Sequence, residues 1–393
     1  MPWKQTNPES EQVRFIERWQ AGETSFVEVC RQFGISRKSG YKRLKRFQSY
    51  GWEGLGDLSR APHSHPKETP QSVCKTLIRA KHAHPYWGPK KLVAWLGELE
   101  PETAWPAAST AGSILERAGL VRHRKRRHRT TPWSEPFSEA RYPNDVWCID
   151  FKGWFRTGDS TRVDPLTVAD ASSRYLLVCQ GLSQPTGAQV RPVLERAFRE
   201  YGLPRAIRTD NGPPFASVAL GSLSSLSVWW IKLGIVPERI EPGHPEQNGR
   251  LERLHRTLKA QTASPPRGTL RAQQRTFDSF RAEYNQERPH EALGQQTPAR
   301  HYSPSIRTYP SRVRSPEYET AVTLRRVRSN GQIRWKGHMI YLSEALCGEP
   351  IGLSPYDDRY WTIQFGSLII GMLDDYAQRV VHTPISVLPM SSV

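Results

Sequence analysis

The sequence predicts a multidomain chain: N-terminal all-α helix-turn-helix domains, a central α/β core on a mixed sheet, and a C-terminal small β-barrel. Three observations carry that expectation. Apolar residues recur at helical spacing up to residue 121, strand-like and helical runs then alternate from 144 to 302, and short alternating strands follow. The chain carries 56 Lys+Arg against 38 Asp+Glu, a formal charge of +18, which points to a polyanionic partner, nucleic acid before membrane surface. Three carboxylates also stand in telling places: Asp150 inside DVWCIDFKGW, Asp210 ending AIRTD, and Glu252 in NGRLERLHRTLK. An acid among β-formers costs free energy unless it has something to bind, so Asp150 asks for a cation.

From Glu9 to Trp19, Val13, Ile16 and Trp19 mark a first helix. Ser25 can cap SFVEVCRQF, and Ser36, after a tight Gly34-Ile35 turn, can cap SRKSGYKRLKRFQSY. This reads as a helix-turn-helix over 1–54 whose third helix exposes Arg37, Lys38 and Lys42 where recognition helices meet duplex DNA. Gly40 weakens that helix. Residues 55–70 read as a linker. A second helix-turn-helix or winged-helix unit follows over 71–121, with Pro89 early in one helix and Ser109 capping another. Residues 122–140 form a basic linker, and Arg124, Lys125 and Arg126 in RHRKRRHR are suited to tracking phosphates.

The core is expected over 141–304: strands VWCIDFKGWF, DPLTVAD and RYLLVCQGL, helix TGAQVRPVLERAFREYG, strand PRAIRTD, a helix through Leu226, Trp229, Trp230 and Leu233, a short strand near Val236, and two more helices. Strand ends and adjoining helices of such a sheet converge on one site, which would gather Asp150, Asp210 and Glu252. Asp170 and Arg174 read as a turn. A further linker (305–316) leads to the expected barrel (317–378), with a hairpin at Ser329-Asn330-Gly331-Gln332 and a basic surface of Arg325, Arg326, Arg328, Arg334 and Lys336. Residues 379–393 read as a tail.

Five scattered cysteines give no C-x-x-C pair and no disulfide frame, and read as small core residues of a reducing compartment. No run is apolar and long enough to cross a bilayer, and MPWKQTNPESEQ offers no secretion segment, so an intracellular, DNA-associated protein is expected.

WCIDFKG, RTDNGPPF, HPEQNGRLERLHRTLK and YNQERPHEALGQQTPARHY together resemble the retroviral-integrase catalytic core, an RNase H-like fold shared with DDE transposases of insertion sequences. The resemblance covers about forty per cent of the chain, and the joint match is specific where any one segment would be weak. It implies a polynucleotidyl transferase that binds the ends of a mobile DNA element, cuts, and joins 3′ ends to target DNA. Two Mg²⁺ (or Mn²⁺) ions would be held by Asp150, Asp210 and Glu252, with Asp150 bridging both. The partners it implies are double-stranded DNA and further copies of the chain.

Two glutamates compete for the third acid. Glu246 leaves 35 residues after Asp210, the spacing of the integrase motif, whereas Glu252 leaves 41. Pro242, Gly243 and Pro245 keep Glu246 on a loop, while Asn248 can cap a helix that holds Glu252 one turn in. A metal ligand needs a rigid support, so Glu252 is preferred. His255, Arg256 and Lys259 follow on its helix and are expected at the DNA backbone, with Asn211 beside Asp210. The competing readings are a catalytically inactive DNA-binding regulator derived from such an enzyme, and a nuclease acting on RNA in hybrids.

Overall fold

The computed structural model describes residues 8–56, 68–121, 140–217, 220–240 and 249–381. The chain divides into two compact units, residues 1–69 and 70–393.

The first unit is three helices, α1 (Pro8–Gln20), α2 (Phe26–Gln32) and α3 (Arg37–Tyr50), closed by a short 3-10 turn. Ser25 and Ser36 cap α2 and α3 as expected, each accepting a backbone N–H of its first turn. Phe15, Ile16, Val29, Cys30 and Leu44 fill the core. Gly40, a weakness in an isolated helix, is required here: a Cβ would lie 2.5 Å from Cys30 Sγ, so only glycine lets α3 cross α2 this closely. Arg37, Lys38 and Lys42 remain exposed.

The second unit begins with α4 (Gln71–Ala83), α5 (Pro89–Leu99) and α6 (Ala108–Arg117) packed around Leu77, Trp87, Leu92 and Leu115. Pro89 opens α5 as expected. The N-cap of α6 is Ala107, not Ser109, and no strand lies among residues 71–121, so the expected wing is absent there. Residues 122–139, including Arg124, Lys125 and Arg126, lie outside the described residues.

The core sheet comprises β1 (Val146–Phe151), β2 (Phe155–Arg156), β3 (Arg162–Asp170), β4 (Leu176–Leu182), β5 (Ala206–Thr209) and β6 (Val236–Arg239). Across the sheet the order is β4-β3-β1-β5-β6, with β2 pairing the first residues of β3. β1, β3 and β4 run antiparallel, and β5 and β6 join in parallel. This is the mixed sheet expected.

Helices α7 (Gly187–Tyr201) and α8 (Ser225–Lys232) share one cluster with Trp147, Ile149, Leu166 and Ile207. Helices α9 (Gly249–Thr262) and α10 (Leu270–Gln286) share the other with Val146, Cys148, Ala169 and Ala206. The two-residue period of β1 therefore sends 147 and 149 to one face and 146, 148 and 150 to the other. The chain is loosened before α8, with Gly221 in the left-handed region ahead of a Ser224/Ser227 capping box.

Residues 305–313, expected as part of a linker, are strapped to this core. Arg307 donates to the carbonyls of Pro204, Leu233 and Gly234, and Tyr309 packs on Phe198. Five guanidinium donors can satisfy the carbonyls left free where helices end, a use that composition does not reveal.

The C-terminal part contains an open sheet, β13-β12-β11-β10-β7, and a separate pair, β8-β9. These are β7 (Thr323–Arg326), β8 (Gln332–Trp335), β9 (His338–Tyr341), β10 (Pro350–Pro355), β11 (Tyr360–Phe365), β12 (Leu368–Asp374) and β13 (Arg379–Val381). The expected barrel is not closed. Its apolar residues instead share a cluster with Leu220, Leu223, Val228 and Ile231 of the core, so the sheet finds cover without curling onto itself. The turn at Asn330-Gly331 exists, but β7 pairs with β10, and the tight hairpin lies at Lys336-Gly337. Lys336 pairs with Asp375, and Arg325 stacks over Trp335.

Candidate functional site

Strand register brings the first two acids together. Cys148 stands opposite Arg208 on the parallel neighbour, so two residues further along Asp150 faces Asp210 at the strand ends. On its other side Asp150 pairs with Thr167, and Thr167 with Cys179. Cys179, Thr167 and Asp150 thus form a row across β4, β3 and β1 on the face covered by α9, paired members being roughly 5 Å apart, and Asp210 follows just past the end of β5.

Helix α9 turns Leu251, Leu254 and Leu258 into the core and leaves Glu252, Arg256 and Lys259 exposed along the opposite edge. These recur at i, i+4 and i+7, so one helical face presents an acid followed by two cations. His255 departs from expectation. It was read as a phosphate contact, yet it is only 6 % exposed, because its position turns with the leucines toward the sheet. Its Nε2 lies 2.7 Å from Thr167 Oγ1, which in turn donates to the Asp150 carbonyl oxygen. That direction makes Thr167 the acceptor from His255 Nε2–H and leaves Nδ1 bare, 3.7 Å from Asp150 Oδ2.

The electrostatics follow from burial and crowding. Asp150 is pushed up to about 7, first by desolvation, then by the charge of Asp210, with Glu252 adding a smaller push. His255 is lowered to about 4 by burial and by nearby Lys152. The His255–Asp150 approach has ion-pair geometry, but a neutral imidazole makes it a packed polar contact at neutral pH. Among the described residues no group of three or more His, Cys, Asp or Glu is gathered tightly enough to hold an ion as it stands. Asp150 nevertheless senses both other acids, and two carboxylates and a third nearby form a hard oxygen donor set.

Asn211 lies next to Asp210 as expected, but its amide is engaged, donating to the Ile240 carbonyl at 2.6 Å. It ties the end of β5 to the end of β6. Beneath, Arg208 and Glu238 form a buried pair at 2.9 Å. Glu246 lies outside the described residues. Lys152, Thr167 and the inward turn of His255 were missed in the sequence. The helical spacing of Leu251, Leu254 and Leu258 is the signal for the inward turn of His255, but its Thr167 partner is 88 residues away.

Models of the integrase core domain match residues 140–245 and 233–298, and a helix-turn-helix domain model matches residues 11–63. The 39.2 kDa protein of insertion element IS476 from Xanthomonas euvesicatoria is 32% identical over 62% of this chain and 69% of its own length. The 31.7 kDa protein of insertion element IS407 from Burkholderia multivorans is 29% identical over 60% of this chain and 82% of its own length. The Gag-Pol polyprotein of baboon endogenous virus is 26% identical over 48% of this chain but only 10% of its own length. With its N-terminal helix-turn-helix and integrase core, the chain belongs to the insertion-element transposase family.

Proposed function

We propose that this transposase binds the ends of its element through Arg37, Lys38 and Lys42, and cuts and joins DNA at Asp150, Asp210 and Glu252 in a metal-dependent phosphoryl transfer. The observation that carries this reading is the juxtaposition of Asp150 with Asp210 on parallel strands, under the added charge of Glu252. Like-charged carboxylates drawn together under a helix raise each other's free energy unless a cation joins them. Their oxygen donors would suit two Mg²⁺ or Mn²⁺ ions, which Asp150, Asp210 and Glu252 would hold. When bound, such ions activate the attacking oxygen and stabilise charge on the leaving one.

The chain's own groups supply the rest. Arg256 and Lys259 lie along the α9 edge that also carries Glu252, where they hold the phosphate backbone against the acids. Thr167 and His255 fix the backbone at Asp150. Asn211 holds the two strand ends so that Asp210 faces Asp150. Arg124, Lys125 and Arg126, outside the described residues, add basic charge that would favour phosphates. Both element ends must be handled together, so the working form is a homo-oligomer on double-stranded DNA inside the cell.

The test compares end binding and Mg²⁺-dependent strand transfer on the same DNA. Asp150→Asn, Asp210→Asn and Glu252→Gln should each lose transfer and keep binding. Full transfer by Glu252→Gln together with its loss in Glu246→Gln would move the third acid to the loop. Binding without any transfer by the parent protein would make it a regulator.

A further inference from the structure

Four residues past Asp150 the backbone turns at Gly153, with φ +86°, and presents Trp154, which is 57% exposed. The other described tryptophans of the core, Trp147, Trp229 and Trp230, are at 0%, 3% and 1%. An indole left in water forgoes much of the stabilisation that burial would give it and keeps part of its ring open to a partner.

Its surroundings define one. The Arg162 guanidinium sits 5.2 Å from the ring centroid and that of Arg156 5.8 Å. Both are held in place. Arg162 is bidentate to Asp164 at 2.7 and 3.0 Å, and Arg156 donates to the Ser160 carbonyl at 2.7 Å. Asp164 neutralises Arg162, which then serves to brace the ring, while Arg156 meets only a neutral carbonyl there and keeps its charge for a phosphate.

Four residues of chain span at most about 14 Å. A DNA strand rises about 3.4 Å per nucleotide, so Trp154 lies within the reach of roughly four nucleotides of a strand held at the acids. We propose that Trp154 is a stacking platform for an unpaired base of the DNA strand held at Asp150, Asp210 and Glu252. The proposal rests on those acids holding DNA, and names the substrate class as an end with locally single-stranded character. A flat ring beside a guanidinium that donates to a neutral carbonyl suits base and phosphate of one nucleotide without reading its sequence.

The test uses the full chain without divalent metal, so it does not depend on the acids being catalytic. The probes are a duplex oligonucleotide with a short 3′ overhang ending in 2-aminopurine, and a blunt duplex of equal length. Trp154→Ala should weaken overhang binding roughly tenfold, leave blunt binding unchanged, and abolish quenching of the 2-aminopurine, with Trp154→Phe restoring both. The exposed position lets the variants fold, which unchanged melting would verify. Overhang binding equal to the parent overturns the proposal, as does an equal loss on both probes. Metal-dependent strand transfer, measured separately, reports on the acids, so failure of either idea is visible alone.

Discussion

Asp150 and Asp210 stand at strand ends in the proposed site, whereas Glu252 is carried on a helix, and the two supports treat their acids differently. The strands hold Asp150 mostly buried beside its neighbour and push it up to about 7. The helix leaves Glu252 exposed and buries His255 one turn on. Neighbouring strands fix the distance between backbones at about 5 Å, so two acids there are crowded whatever their side chains do. A helix lying over the sheet sets only an orientation, and its acid keeps rotamer freedom until a ligand orders it. The proposed site thus joins two carboxylates fixed by neighbouring strands to a third carried on an exposed helix face.

The largest effect expected from breaking the strand half is on chemistry. Asp150→Asn and Asp210→Asn should each cut strand transfer by more than about a thousandfold, measured at saturating DNA with end binding unchanged. Glu252→Gln should cost about a hundredfold or more. A smaller loss than that of Asp150→Asn would sharpen the contrast between built and recruited acids, and a larger one would reverse it.

Stability should move the opposite way. Because the fold raises Asp150 from the usual carboxylate range to about 7, the folded protein keeps a proton that the unfolded chain has lost, and the stability present below about pH 4 disappears as pH climbs through 7. Metal-free Asp150→Asn, which cannot ionise, should therefore melt above the parent at pH 8, by on the order of 2 kcal/mol, and level with it at pH 4. Adding Mg²⁺ should raise the parent's melting temperature and not the variant's. A variant less stable at pH 8 would mean the site is not strained.

Removing the link between the halves should have a moderate effect. Thr167→Val leaves the buried His255 Nε2–H without its acceptor at a cost of about 1–3 kcal/mol, readable by denaturant titration. Far from the acids, Arg37→Ala or Lys38→Ala should weaken end binding and lower its salt slope by about 1 each, with turnover of bound DNA unchanged.

Much of this was legible in the sequence. The serine caps of α2 and α3, the strand around Asp150, the helix around Glu252 and the resemblance carried by RTDNG and NGRLERLH are local signals, written within a few residues of one another. The open C-terminal sheet, the strap at Arg307 and the inward turn of His255 were not legible. Each depends on which surface another segment offers: α8 and the chain before it cover the sheet that was expected to close, free carbonyls at two helix ends collect Arg307, and Thr167, 88 residues away, receives His255.

By itself the sequence determined most of the helices and core strands and the family, and it singled out the three acids proposed for the site, because capping, periodicity and motif chemistry are properties of short stretches. Only the tertiary structure decided which side of β1 meets α9, and so which carboxylate is buried and which is exposed. Burial and crowding arise between segments that the chain order keeps apart, and the distances between them exist only once the sheet has assembled.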